Sequence, residues 1–154
     1  MKTILTPIDF SGITDAVVAA AATLARTQEG RVVLLHVSQP PIITSEYAPY
    51  LENISEIAAV SEKASAKQLN RLAERLQQAG VAVETVQLNG VPVTEILAQA
   101  EQVKADYLVL GSHGHTAFYD LLVGSTTHGI LLKAPCPVVV VPAKTAGAPA
   151  SRRS

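Results

Sequence analysis

The chain has no tryptophan, a single cysteine and only two phenylalanines, and 16% of its residues are charged. The lone Cys136 excludes an intrachain disulfide and fits a reducing compartment. Formal net charge is -1, so nothing pulls the chain generally toward nucleic acid or an anionic bilayer. Apolar runs are short; the longest, Ala16 to Ala22, falls far below the ~20 residues of a membrane span. The N-terminal apolar run is broken by Pro7 and Asp9 and does not read as a signal peptide. Neither nucleic acid nor membrane is expected as a partner, and the expected location is cytoplasmic. Also missing is G-x-x-x-x-G-K-S/T, and with it the lysine that neutralises terminal phosphates in P-loop enzymes.

What is present is 48% hydrophobic residue in a chain of 154, enough for one well-buried domain and too little for two. Residues 1–142 read as that domain and residues 143–154 as a flexible, small-residue tail ending in Arg152 and Arg153. Thr3 to Ile8 reads as a first strand with Asp9 at its end. A helix follows over about Asp15 to Gln28, capped by Ser11 or Thr14 and ended by Gly30. Val32 to Val37 has the continuous apolar character of a buried parallel strand. Gln39 to Ile54 is irregular, then Ile57 to Ala79 carries Leu69, Leu72, Ala73 and Leu76 at helical spacing. Val81 to Leu88 alternates as an edge strand does, and Pro92 opens a third helix. Alternating strands and helices predict an α/β fold, an open doubly wound five-stranded parallel sheet with helices on both faces. Ligands bind such sheets at the carboxyl ends of the strands, where the strand order reverses.

The segment from Tyr107 to Val141 organises the rest. An apolar strand, Tyr107 to Leu110, stops at Gly111; Gly114 and, after nine intervening residues, Gly124 follow, and Ser125, Thr126 and Thr127 open a helix. The helix ends before Pro135, and Val138 to Val141 form a last strand. A helix start preceded by glycine is an anion site, because its first N–H groups are unsatisfied and its dipole favours negative charge. Gly124 leaves the backbone open to a phosphate, and the next three residues add hydroxyls beside their amides. Residue chemistry alone leads as far as a phosphate-bearing ligand.

The glycine series Gly111, Gly114 and Gly124 with Ser125, followed by Ala134-Pro135-Cys136-Pro137 and a valine run, resembles the ATP-binding branch of the universal stress protein family. Thr6 to Ser11 and Leu34 to Val37 look like that family's first two strand ends, and the likeness covers nearly all of residues 1–142. The resemblance implies sheet order 3-2-1-4-5 and one ATP per subunit, with Mg²⁺ or Mn²⁺. It implies that Asp9 meets the adenosine, Pro7 and Ile8 line the same corner, and the main chain of Val37 addresses the adenine edge. Gly111, Ser112, His113 and Gly114 would flank ribose and phosphates, and Gly124, Ser125, Thr126 and Thr127 would cradle the triphosphate. It further implies a homodimer through Val138, Val139, Val140 and Val141, which agrees with the hazard of a bare all-valine edge strand. His115 stands where relatives often carry arginine, and His128 where an acidic or amide residue is frequent.

Other chemistry reads more weakly. His113, His115 and His128 lack a supporting cysteine or carboxylate cluster for zinc, and His113-Gly114-His115 fails the spacing of an H-x-G-H motif. His36 reads as a satisfied core histidine, Cys136 as a small buried hydrophobe, and Tyr47 and Tyr50 as loop residues open to a base or a partner. The expected function is a cytosolic ATP-dependent switch, with slow or no hydrolysis, read by a regulatory protein partner. Occupancy would order the segment from Ser112 to Val123 and, with it, the segment from Gln39 to Ile54. The rival readings are a slow ATPase or nucleotide-dependent transferase, and a nucleotide-free dimeric scaffold.

Overall fold

The computed structural model describes residues 1–39, 51–112 and 123–143, with backbone alone for 51–54. The elements are β1 (Lys2–Pro7), α1 (Thr14–Thr27), β2 (Gly30–Ser38), α2 (Leu51–Gln78) and β3 (Ala82–Asn89). They continue as α3 (Pro92–Gln102), β4 (Tyr107–Gly111), α4 (Ser125–Lys133) and β5 (Val138–Val141). The strands pair in parallel in the order β3-β2-β1-β4-β5, as expected for an open doubly wound sheet.

Strand periodicity explains the two layers. Ile4, Val32, Leu34 and Val109 point to a core shared with Val17, Ala21, Leu69 and Leu76 of α1 and α2. Their neighbours Leu5, Val33, Leu35, Leu108 and Leu110 point to the opposite face, against Ile96 and Ala100 of α3 and Ile130 of α4. Both faces of the central strands are therefore buried, which is why β2 and β4 read as unbroken apolar runs. β3 is mostly exposed and alternates, as an edge strand does. Chain order reverses between β1 and β4, so a crevice opens above their carboxyl ends. Among the described residues no helix is long and apolar enough to cross a membrane.

Three local expectations differ from the structure. α2 begins at Leu51 instead of Ile57; residues 40–50, Tyr47 and Tyr50 included, lie outside the described residues. α1 has Ile13 at its N-cap and no side-chain cap, although Ser11 and Thr14 stand beside it. Gly30 does not end α1. Glu29 takes the left-handed turn (φ 52), and Gly30 opens β2 opposite Lys2.

Close strand approach accounts for that glycine. A Cβ on Gly30 would sit 2.7 Å from the Lys2 carbonyl oxygen and 3.2 Å from the Lys2 Cβ. The clash is with backbone and cannot be relieved by turning a side chain. Gly30→Ala is expected to cost about 1–3 kcal/mol, as overpacking does. A denaturation midpoint equal to wild type would refute it.

Candidate functional site

The crevice is a cleft of about 550 Å³, within the roughly 300–1,000 Å³ of small-molecule sites. Three strand ends and the starts of α1, α3 and α4 build it, with Ser61 of α2. From β1 come Pro7, Ile8 and Asp9; from β2, His36, Val37 and Ser38; from β4, Leu110 and Gly111; and from α4, Gly124 to Thr127 with Ile130 beneath.

The end of β1 is gripped tightly. The Ile8 N–H donates to the Leu35 carbonyl at 2.7 Å, and His36 Nδ1 lies 2.7 Å from the Ile8 carbonyl oxygen. A carbonyl only accepts, so that nitrogen carries the proton. Asp9 then turns back on its own loop, its Oδ1 accepting the Ser11 N–H at 3.0 Å. Phe10 has φ 59, rare for a bulky side chain, and its ring centroid lies 4.6 Å from that of His36.

At the other wall, hydrogen bonds fix how α4 presents its first turn. The Gly124 N–H donates to the Ser112 carbonyl at 2.6 Å, and the His128 N–H closes the first helical turn onto Gly124 at 2.9 Å. The amides of Ser125, Thr126 and Thr127 precede that bond, so they lack intrahelical acceptors and add to the positive end of the helix. Ser125 and Thr126 are exposed, whereas Thr127 is buried and its Oγ1 donates to the Gly111 carbonyl at 2.6 Å. The Thr127 hydroxyl thus ties α4 to β4, and the Gly124 amide ties it to Ser112. The expectation of amides free from Gly124 onward, each flanked by a hydroxyl, narrows to the amides of 125–127 and the hydroxyls of Ser125 and Thr126.

Of the residues singled out from sequence, Pro7, Ile8, Asp9, Val37, Gly111, Gly124, Ser125, Thr126 and Thr127 share this one cleft. Ser112 does not line it: buried, it donates its N–H to the Val141 carbonyl at 2.8 Å, and its Oγ accepts the Ala143 N–H at 3.1 Å. His113, Gly114 and His115 lie outside the described residues. His36, read as a core residue, is half-buried in the cleft wall. Its position in an apolar run hid this, since strand alternation says which face a side chain takes but not where the sheet ends.

Asp9 is the one carboxylate among the described lining residues, and no lysine or arginine joins it. Backbone amides, then, are the electropositive groups those residues offer an anion. No three histidine, cysteine, aspartate or glutamate side chains cluster as a metal site among the described residues. Cys136 packs against the α3/α4 core, and desolvation, with the Asp106 charge second, pushes its thiol up from the ordinary value. It is poorly suited to act as a nucleophile.

A family model described as the universal stress protein family matches residues 1–142. The universal stress protein YxiE of Bacillus subtilis is 31% identical over 143 residues, covering 89% of this chain and 96% of the relative. The solved structure of MJ0577, a universal stress protein of Methanocaldococcus jannaschii, is similar with a TM-score of 0.80 at 28% identity, covering 94% of this chain and 97% of that one. A universal stress protein of Archaeoglobus fulgidus solved in complex with dAMP has a TM-score of 0.64 at 22% identity, with 91% and 97% covered. That last likeness shows a shared fold.

Proposed function

The chain belongs to the universal stress protein family, and from that premise we propose that it is a cytoplasmic ATP-binding regulatory protein whose occupancy is the signal. One observation carries this reading. Ser125, Thr126 and Thr127, whose amides have no acceptor among the described residues, line a crevice that also holds Asp9 and the end of β2. In that arrangement the α4 start holds phosphate oxygens, the Asp9 carboxylate accepts from ribose hydroxyls, and the main chain at Val37 meets the edge of adenine. A nucleotide in the fold relative from A. fulgidus supports the ligand class.

Mg²⁺ or Mn²⁺ fits this site only as a companion of the phosphates, because Asp9 is the sole carboxylate among the described lining residues. Hydrolysis is slow or absent, since those residues supply no cation to offset the charge of a transferring phosphoryl group. β5 is the second edge of the sheet; its Val139 is 38% exposed, and a second copy pairing along Val138–Val141 would satisfy that edge.

Mass spectrometry of nucleotide retained through purification, paired with turnover counts in Mg-ATP, tests the proposal. A stoichiometric adenine nucleotide with fewer than a few turnovers per hour is expected. Sustained multiple turnover would instead select the slow-ATPase reading, and an empty protein indifferent to added ATP would leave only the scaffold.

A further inference from the structure

We propose that His36 and Phe10 form a positioning pair that holds the β1–α1 loop, and with it the Asp9 carboxylate, in the shape that receives ligand. The inference rests on the reading of the cleft as a nucleotide site.

The loop needs holding. Asp9 lines the cleft, while Phe10, Ser11 and Gly12 line a second hollow, of about 310 Å³, on the loop's other side with Arg71 and Arg75. Residues 9–12 thus form a partition between two openings, and Phe10 is the residue of this stretch that packs against the core. Phe10 at φ 59 adds strain that a glycine would not feel, and Gly12 two residues later shows no such angle. A strained bulky residue persists only where its surroundings over-determine it.

The surroundings here are specific. The Phe10 ring meets the His36 ring at 4.6 Å and 42°. His36 in turn grips the Ile8 carbonyl through Nδ1 at 2.7 Å, one residue before Asp9. The imidazole therefore contacts the chain on both sides of Asp9, by a hydrogen bond before it and a ring contact after it. Ser11 completes the arc, its N–H held by Asp9 Oδ1 at 3.0 Å. Neither ring is needed as a ligand contact for this role. Each acts through Asp9.

Three full-length variants separate positioning from bulk stability. Phe10→Gly removes the ring but suits the left-handed backbone; His36→Leu removes the hydrogen bond and the aromatic contact; His36→Asn keeps a donor near the Nδ1 position. Each is assayed for apo melting temperature, Ser11 amide exchange and Mg-ATP affinity. In Phe10→Gly the lost core contact of the ring is offset in part by relief of the left-handed strain, and Ser11 is expected to exchange faster than the change in melting temperature alone accounts for. If the released loop is competent about one tenth of the time, ATP affinity falls about tenfold. His36→Leu is expected to match that loss and His36→Asn to recover part of it. Wild-type exchange and affinity in Phe10→Gly would overturn the proposal, as would faster exchange with unchanged affinity. A wild-type chain that binds no adenine nucleotide would be a failure of the functional reading. In that case the exchange arm still decides: unchanged Ser11 protection in both Phe10→Gly and His36→Leu overturns the pair.

Discussion

Saturating Mg-ATP raises the melting temperature of the wild-type chain by about 5–11 °C, and Gly124→Val abolishes that rise. The size follows from linkage: ligand at 100 times Kd adds about 2.7 kcal/mol to stability. A domain of this length moves by roughly 2–4 °C per kcal/mol. The substitution is informative because the backbone does not require glycine there. Gly124 has φ -70 and ψ 166, extended geometry that valine adopts readily, and its N–H bond to Ser112 is unaffected by a side chain. The variant is therefore expected to fold and to melt near the wild-type apo temperature. What changes is the approach to the amides of 125–127, where a branched side chain now stands. Full retention of the thermal shift in Gly124→Val would remove phosphate from the mouth of α4.

How far the sequence could be read depended on whether a feature was local or assembled. The two-faced core followed from the unbroken apolar runs of β2 and β4, because buried parallel strands need apolar residues on both faces, whereas the strand order came with the family resemblance. The helix start at Ser125 was legible from a glycine followed by small hydroxyl residues, and Pro92 marked α3 in the same way. Gly30 misled, since helix-ending glycine is the commoner use; the contact that demands it comes from Lys2, 28 positions earlier in the chain. The hydroxyls of 125–127 looked equivalent in sequence, yet Thr127 alone sits over Gly111 and is drawn to its carbonyl. His36 shows the same limit. Its bond to Ile8 and its contact with Phe10 exist only once β1 and β2 are in register.

Ile130→Ala is expected to give the largest loss of stability, and to take ligand binding with it. Ile130 is fully buried, packed between α3 and the sheet face formed by Leu5, Leu35, Leu108 and Leu110, and it also floors the cleft. α4 has little else to anchor it, for its other buried residue is Thr127. Truncating a buried isoleucine costs about 2–5 kcal/mol, the higher figures where the gap cannot collapse. At about 2–4 °C per kcal/mol, melting should fall by about 4–20 °C. The first turn of α4 depends on the same anchor, so ATP should restore less stability to this variant than to wild type. Leu132→Ala provides the contrast. Leu132 is 69% exposed on the same helix, and its truncation in a monomer should stay within about 0.5 kcal/mol of wild type. A large loss at Leu132 would mean that a second copy covers this face beside β5. An Ile130→Ala protein melting with wild type would mean that α4 is not held through this core, and the placement of the 125–127 amides would go with it.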